Sequence, residues 1–200
     1  MGLGGKLNQR LSQTFLQRTK LLYTKNILLL SIDLRREVIK NVNYTQNAIT
    51  VGVGDLKITE APNILKTLLG SCIGIVLHDP VNKIGGLLHI MLPKKNGKDL
   101  KITKYADPGL PYFISHMVTN AGALRGSLYA KIFGGAKMFE TNGMLNIGES
   151  NELEVRRILK EEGIKIVASK TGGTKGYNIT FDTHTGDVTC RIFGHSVEVY

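Results

Sequence analysis

Two cysteines, Cys72 and Cys190, and five histidines, His78, His89, His116, His184 and His195, are the residues of this 200-residue chain best suited to act as nucleophile or general base. Cys72 lies in the stretch Thr67-Leu68-Leu69-Gly70-Ser71-Cys72-Ile73-Gly74-Ile75-Val76-Leu77-His78-Asp79-Pro80, and a second β-rich run follows from Ile84 to Leu92. Between the runs, Asp79-Pro80-Val81-Asn82 has Asp first and Pro second, the pattern of a type I turn. A hairpin centred between Pro80 and Val81 pairs residues whose numbers sum to 161, which sets Cys72 against His89. Directly opposed residues have Cβ atoms about 4.5–5.5 Å apart. A thiol and an imidazole at that range can form the thiolate–imidazolium pair of cysteine hydrolases. Gly70 and Ser71 before the cysteine, and Gly74 after it, suit close substrate approach and a backbone N–H free to meet an oxyanion. Spacing alone leaves the alternatives open. A free cysteine is among the most buried residue types, and a histidine on an apolar strand can be a satisfied core residue.

The other candidates point to structure. Cys190 sits in the alternating run Val188-Thr189-Cys190-Arg191-Ile192 and reads as packing. The remaining histidines have no ligand spacing with one another or with Cys72, so no metal site is expected. Gly134-Gly135-Ala136 and Gly172-Gly173 lack the Lys-Ser/Thr of a P-loop and the G-x-G-x-x-G fingerprint. They read as tight turns beside strands.

The elements that must position Cys72 and His89 follow from periodicity. Strands are expected over residues 49–53, 65–69, 72–77, 84–92, 127–133, 164–168, 177–181, 188–193 and 196–199. His184-Thr185-Gly186-Asp187 suits a hairpin turn. One helix is expected with Asp107 as N-cap and Pro108 at its first position, carrying Ile114, Met117, Val118 and Ala121 and leaving at Gly122. A second is expected to open at Asn151, with Glu154 completing a capping box, to bury Leu153, Ile158 and Leu159, and to stop at Gly163. Sequential strands outnumbering helices predict an α+β fold.

Composition narrows the class. The chain is 42% hydrophobic and 21% charged, the profile of a globular protein, and its longest apolar run is far short of a membrane span. Two cysteines are too few for a disulfide framework, which favours a reducing, cytoplasmic compartment. The formal net charge is +10, but residues 1–46 carry eight Lys/Arg against Asp33 and Glu37, which is +6 of it. The chain therefore divides into a basic N-terminal extension, 1–46, and a mildly basic main domain, 47–200. No zinc-finger, helix-turn-helix or RNP-like signature accompanies the charge, so nucleic acid is not the expected partner. Leu7, Leu11, Phe15 and Leu22 fall near one helical face. The extension is accordingly either poorly ordered or a basic amphipathic helix making weak contact with a membrane surface.

Leu69-Gly70-Ser71-Cys72, His78-Asp79-Pro80 and Gly85-Gly86-Leu87-Leu88-His89-Ile90-Met91-Leu92-Pro93 together resemble the signature of the chemoreceptor glutamine deamidases, the CheD family. The resemblance continues through Lys104-Tyr105-Ala106-Asp107, Lys131 to Phe139, Asn146-Ile147-Gly148, Thr171-Gly172-Gly173 and Thr185-Gly186, in collinear order over about residues 48–195. It implies a β-sandwich-like mixed sheet core flanked by helices, similar to the catalytic domain of cytotoxic necrotizing toxins. It also implies deamidation of receptor glutamines to glutamate and ammonia through a cysteine thioester, with hydrolysis of glutamyl methyl esters as a related activity. By the same resemblance Cys72 is the nucleophile, His89 the base, Thr67 the third catalytic residue and Ser71 a helper. No metal or organic cofactor is implied. The implied partners are methyl-accepting chemoreceptors and a CheC-type phosphatase. A competing expectation of another class is a non-catalytic regulatory module acting on that phosphatase.

Overall fold

Period-two burial explains the strands that frame the site. In β3 (Ile64–Leu69) the side chains of Leu65, Thr67 and Leu69 are buried, while Lys66 and Leu68 are open to solvent. By contrast β4 (Ile73–Asp79) and β5 (Ile84–Ile90) are buried at every position. Such strands must be covered on both faces. The computed structural model describes residues 48–137 and 146–200. The expectations for the extension 1–46 lie outside the described residues.

Among the described residues the fold is mixed α+β, with two five-stranded sheets. One contains β1 (Ala48–Thr50), β3, β8 (Tyr177–Asp182), β9 (Val188–Ile192) and β10 (Val197–Val199), in the order β1-β3-β8-β9-β10. The other contains β2 (Leu56–Glu60), β5, β4, β6 (Tyr129–Gly134) and β7 (Lys165–Thr171), in the order β2-β5-β4-β6-β7. Both are mixed, since β1 runs parallel to β3 and β6 parallel to β7. Leu65, Leu69, Ile179, Phe181 and Cys190 of the first sheet share one apolar cluster with Val76, Leu87 and Phe133 of the second. The opposite side chains of β4 and β5, including Ile73, Ile75, Leu88 and Ile90, pack with two helices. These are α1 (Ala106–Thr119), through Leu110, Phe113, Ile114 and Met117, and α2 (Ile147–Glu161), through Val155, Ile158 and Leu159. Fully burying one such side chain contributes roughly 1.5–3 kcal/mol.

Both helices depart from expectation at their starts. α1 opens at Ala106 after Tyr105, which makes no side-chain cap, and Asp107 is already inside the first turn. The Asp107 carboxylate accepts the Lys95 N–H at 2.9 Å, while Ala106 and Asp107 N–H donate to Leu92 and Pro93 carbonyls. The loop leaving β5 thus caps the helix in place of a local side chain. α2 opens four residues before Asn151, with the Asn146 side chain accepting from Gly148 N–H at 3.1 Å. Asn151 is fully buried inside the helix, and Leu153, expected in the core, is exposed. Strand β2 was not anticipated, although Leu56 and Ile58 alternate with Lys57 and Thr59.

Candidate active site

Asp79 and Ile84, not Asp79 and Asn82, close the β4–β5 ladder, leaving four residues in the loop. The Asp79 carboxylate accepts the Val81 N–H at 2.9 Å, as expected of a turn-forming aspartate, but Asn82 and Lys83 extend the loop, Lys83 at φ 55°. Paired residues therefore sum to 163, and Gly74 is the residue opposite His89. The expected face-to-face pairing of Cys72 with His89 is corrected accordingly. The expected strand start at Cys72 is corrected too, since β4 begins at Ile73 and Cys72 lies in the turn that crosses from one sheet to the other. A shift of two in the sum preserves parity, because side chains alternate with period two.

His89 is fixed from three directions. Its backbone N–H donates to Asp55 O at 3.0 Å and its carbonyl accepts from Gly54 N–H at 2.7 Å. Its ring meets Thr67, on β3 of the other sheet, with Nδ1 and Oγ1 2.9 Å apart. The Thr67 hydroxyl donates its proton to the Val51 carbonyl at 2.6 Å. Having one proton, that hydroxyl can only accept from the ring, so Nδ1 carries the hydrogen and Nε2 presents a lone pair. Nε2 is buried and makes no hydrogen bond among the described residues. Leaving a buried polar atom unsatisfied costs on the order of 1–3 kcal/mol.

The Cys72 turn is held by its carbonyls. Gly70 O accepts from Ala136 N–H at 2.8 Å and Cys72 O from Gly135 N–H at 2.8 Å. Ser71 O accepts from the Asn151 side chain at 3.1 Å. Gly134 and Gly135, read as a tight turn, are the cradle of this segment. Gly134 has φ 102°, and a Cβ there would lie 2.3 Å from Cys72 O. Gly134→Ala is therefore expected to cost roughly 1–3 kcal/mol from backbone strain alone. Misplacing the turn by an ångström costs activity roughly 100-fold. Urea melts and turnover measured side by side check this, and an unchanged midpoint with unchanged activity contradicts it.

Desolvation favours the uncharged form of both groups. Burial pushes the half-buried Cys72 thiol above its ordinary 9.0, only partly opposed by its own backbone N–H. Burial also holds His89 below 6.5, against the Val51 carbonyl and the Asp55 charge, which favour the imidazolium. No hydrogen bond joins Cys72 to His89. Both shifts favour the uncharged forms of the thiol and the imidazole.

The remaining candidates fall where packing predicts. Cys190 is buried between the sheets, its thiol pushed up to about 11 by desolvation. His78 is bonded by Tyr129 at Nδ1 and the Thr183 carbonyl at Nε2. Among the described residues no cluster of three or more His, Cys, Asp or Glu is arranged to hold a metal ion. Sequence reasoning missed Val51, which acts through its carbonyl, and Asn151. The signal for Asn151 was present: it shares the buried helix face with Glu154, Val155 and Ile158.

Residues 91–192, half of the chain, match the model of a family described as CheD chemotactic sensory transduction. Over 157 residues the chain is 44% identical to a probable chemoreceptor glutamine deamidase CheD of Desulforamulus reducens, covering 76% of this chain and 94% of that one. The chain belongs to the CheD family. The CheD chemoreceptor glutamine deamidase of Thermotoga maritima is 39% identical over 145 residues, 72% of this chain and 91% of that protein. The matched family segment begins after His89, so the three residues Thr67, Cys72 and His89 of this CheD chain rest on the geometry above. Among solved structures, YfiH of Bacillus licheniformis covers 62% of this chain and 59% of its own at TM-score 0.41 and 14% identity, too loose a likeness to bear on function.

Proposed function

We propose that the chain hydrolyses the side-chain amides of specific glutamines on methyl-accepting chemoreceptors, giving glutamate and ammonia in the adaptation of chemotaxis. The observation that carries this reading is the buried His89 Nε2 lone pair, oriented through Thr67 and Val51 at the end of the sheet where Cys72 emerges. Membership in the CheD family supports the substrate. The Cys72 proton passes to Nε2 as sulfur attacks the amide carbon. The resulting oxyanion is met by the Cys72 backbone N–H. Nε2–H then protonates the departing ammonia, leaving a thioester. Water, deprotonated by Nε2, attacks the thioester carbon, and the thiol leaves with that proton. A glutamyl methyl ester follows the same course with methanol departing. Ser71 helps by lending the nucleophile its peptide. The reading extends to a cytoplasmic setting, to a fold akin to the cytotoxic necrotizing toxin catalytic domain, and to a CheC-type phosphatase that restrains the enzyme by occupying its receptor-docking surface.

The test is intact-mass analysis of receptor fragments after incubation. A gain of about one dalton per modified site, with equimolar ammonia, is expected. No gain on any receptor fragment overturns the reading. The pH profile supplies a signature. The active form has a neutral His89, whose pKa lies below 6.5, and a protonated Cys72, whose pKa lies above 9.0. The ratio kcat/KM should therefore hold a plateau across neutral pH, falling on the acid side as Nε2 takes a proton. It should fall on the alkaline side as Cys72 loses the proton that ammonia needs. A narrow bell centred well below neutrality contradicts this protonation assignment.

A further inference from the structure

Asn151 is fully buried on α2, and both of its amide hydrogens are used. Nδ2 donates to Ser71 O at 3.1 Å and to Met91 O at 3.0 Å, while Oδ1 has no partner among the described residues. The orientation follows from chemistry, since turning the carboxamide over would set its oxygen against two carbonyl oxygens. The first turn of α2 is seated by Gly148, where a Cβ would lie 2.3 Å from Gly135 O, so the helix docks on the same glycines that hold the Cys72 turn.

The Ser71–Cys72 peptide is planar and trans, so its carbonyl and its N–H point in opposite directions. Asn151 grips the carbonyl. The Cys72 N–H is thereby turned away from α2, and no backbone acceptor meets it among the described residues. Met91 O is two residues past His89 on the same chain segment, so one carboxamide ties the peptide before the nucleophile to the strand end carrying the base.

We infer that Asn151 is a positioning residue that aims the Cys72 N–H at the oxyanion. The inference rests on the deamidase reading and adds a residue to it. Asn151→Asp keeps the shape but cannot donate, and a carboxylate facing Ser71 O would release or rotate the peptide. Loss of one oxyanion donor costs roughly 100- to 1,000-fold in kcat. We expect a drop of that size in Asn151→Asp, with KM little changed and no shift in the pH limbs. The rate of Cys72 alkylation by iodoacetamide should also hold, because that reaction develops no oxyanion. A peptide aldehyde replacing the target glutamine, which forms a thiohemiacetal at Cys72, should bind more weakly in step with kcat.

Wild-type kcat in a folded Asn151→Asp protein overturns the inference, and so does an alkylation rate that falls as far as kcat, which would make Asn151 a support of the fold alone. The wild type supplies a second measurement that does not depend on the variant folding. Its Asn151 carboxamide protons should exchange slowly, and its Cys72 amide proton should move downfield on thiohemiacetal formation. Fast exchange at Asn151, or an unmoved Cys72 amide, sinks the proposal. The deamidase reading fails separately, if the wild type releases no ammonia or Cys72→Ala still does.

Discussion

Ammonia release from a receptor fragment should disappear in Cys72→Ala and survive in Cys190→Ala. Removing an essential nucleophile costs on the order of a million-fold where a triad acts as a unit, so the first variant should be indistinguishable from background. Its fold should persist, because Cys72 is a half-buried turn residue anchored through its backbone rather than its sulfur. Cys190 is packed between the sheets with its thiol held protonated. Truncating it is expected to lower stability by about 1 kcal/mol and leave turnover near the wild-type value. Iodoacetamide should modify Cys72 faster than Cys190 in the native protein and label both alike in urea. Activity in Cys72→Ala together with inactivity in Cys190→Ala would reverse the assignment of roles.

His89→Ala is expected to lose roughly 100- to 10,000-fold, the range for a positioned general base. The remaining thiol has no local acceptor for its proton, and burial already disfavours the thiolate. Thr67→Ala should lose less, since the Val51 carbonyl stays in place to take the Nδ1 hydrogen. The ranking is checked by kcat/KM for the three proteins across neutral pH. Equal values for wild type and His89→Ala end the Cys–His mechanism, and a Thr67→Ala loss exceeding that of His89→Ala contradicts the orienting role of the hydroxyl.

Local patterns made the strands and their faces legible, because alternation at Leu65, Thr67 and Leu69 or at Val188 and Cys190 is a direct image of burial. Register was less legible. Asp79-Pro80 does begin a turn, but whether Lys83 continues the loop or the strand depends on a backbone conformation that its own identity does not dictate. Two residues of added turn, Asn82 and Lys83, moved Cys72 from opposite His89 to just beyond the ladder, while parity kept the strand faces. Thr67 and Val51 illustrate another limit. Thr67 meets the His89 ring across the two sheets, 22 residues away in sequence, and donates to the Val51 carbonyl, 16 residues away, and no periodicity reports such meetings. The helix starts were misplaced for a related reason. Asp107 and Asn151 both look like caps, yet one is tied to the loop at Lys95 and the other to Ser71 and Met91, partners distant in sequence.

Because His89 stands on one sheet and Thr67, whose hydroxyl meets its ring, stands on the other, the catalysis proposed above would report the docking of two layers, not the formation of either. Acid brings the distinction into reach. Burial holds both His89 and His78 below 6.5. As pH falls beneath that value, the unfolded chain binds protons that the native one refuses, and stability is lost down to the native pKa values. An expanded acid form that kept its far-ultraviolet dichroism while losing side-chain order would retain every strand of this enzyme and none of its proton relay. Turnover would then vanish ahead of secondary structure, making ammonia release a finer gauge of interlayer order than any backbone spectrum.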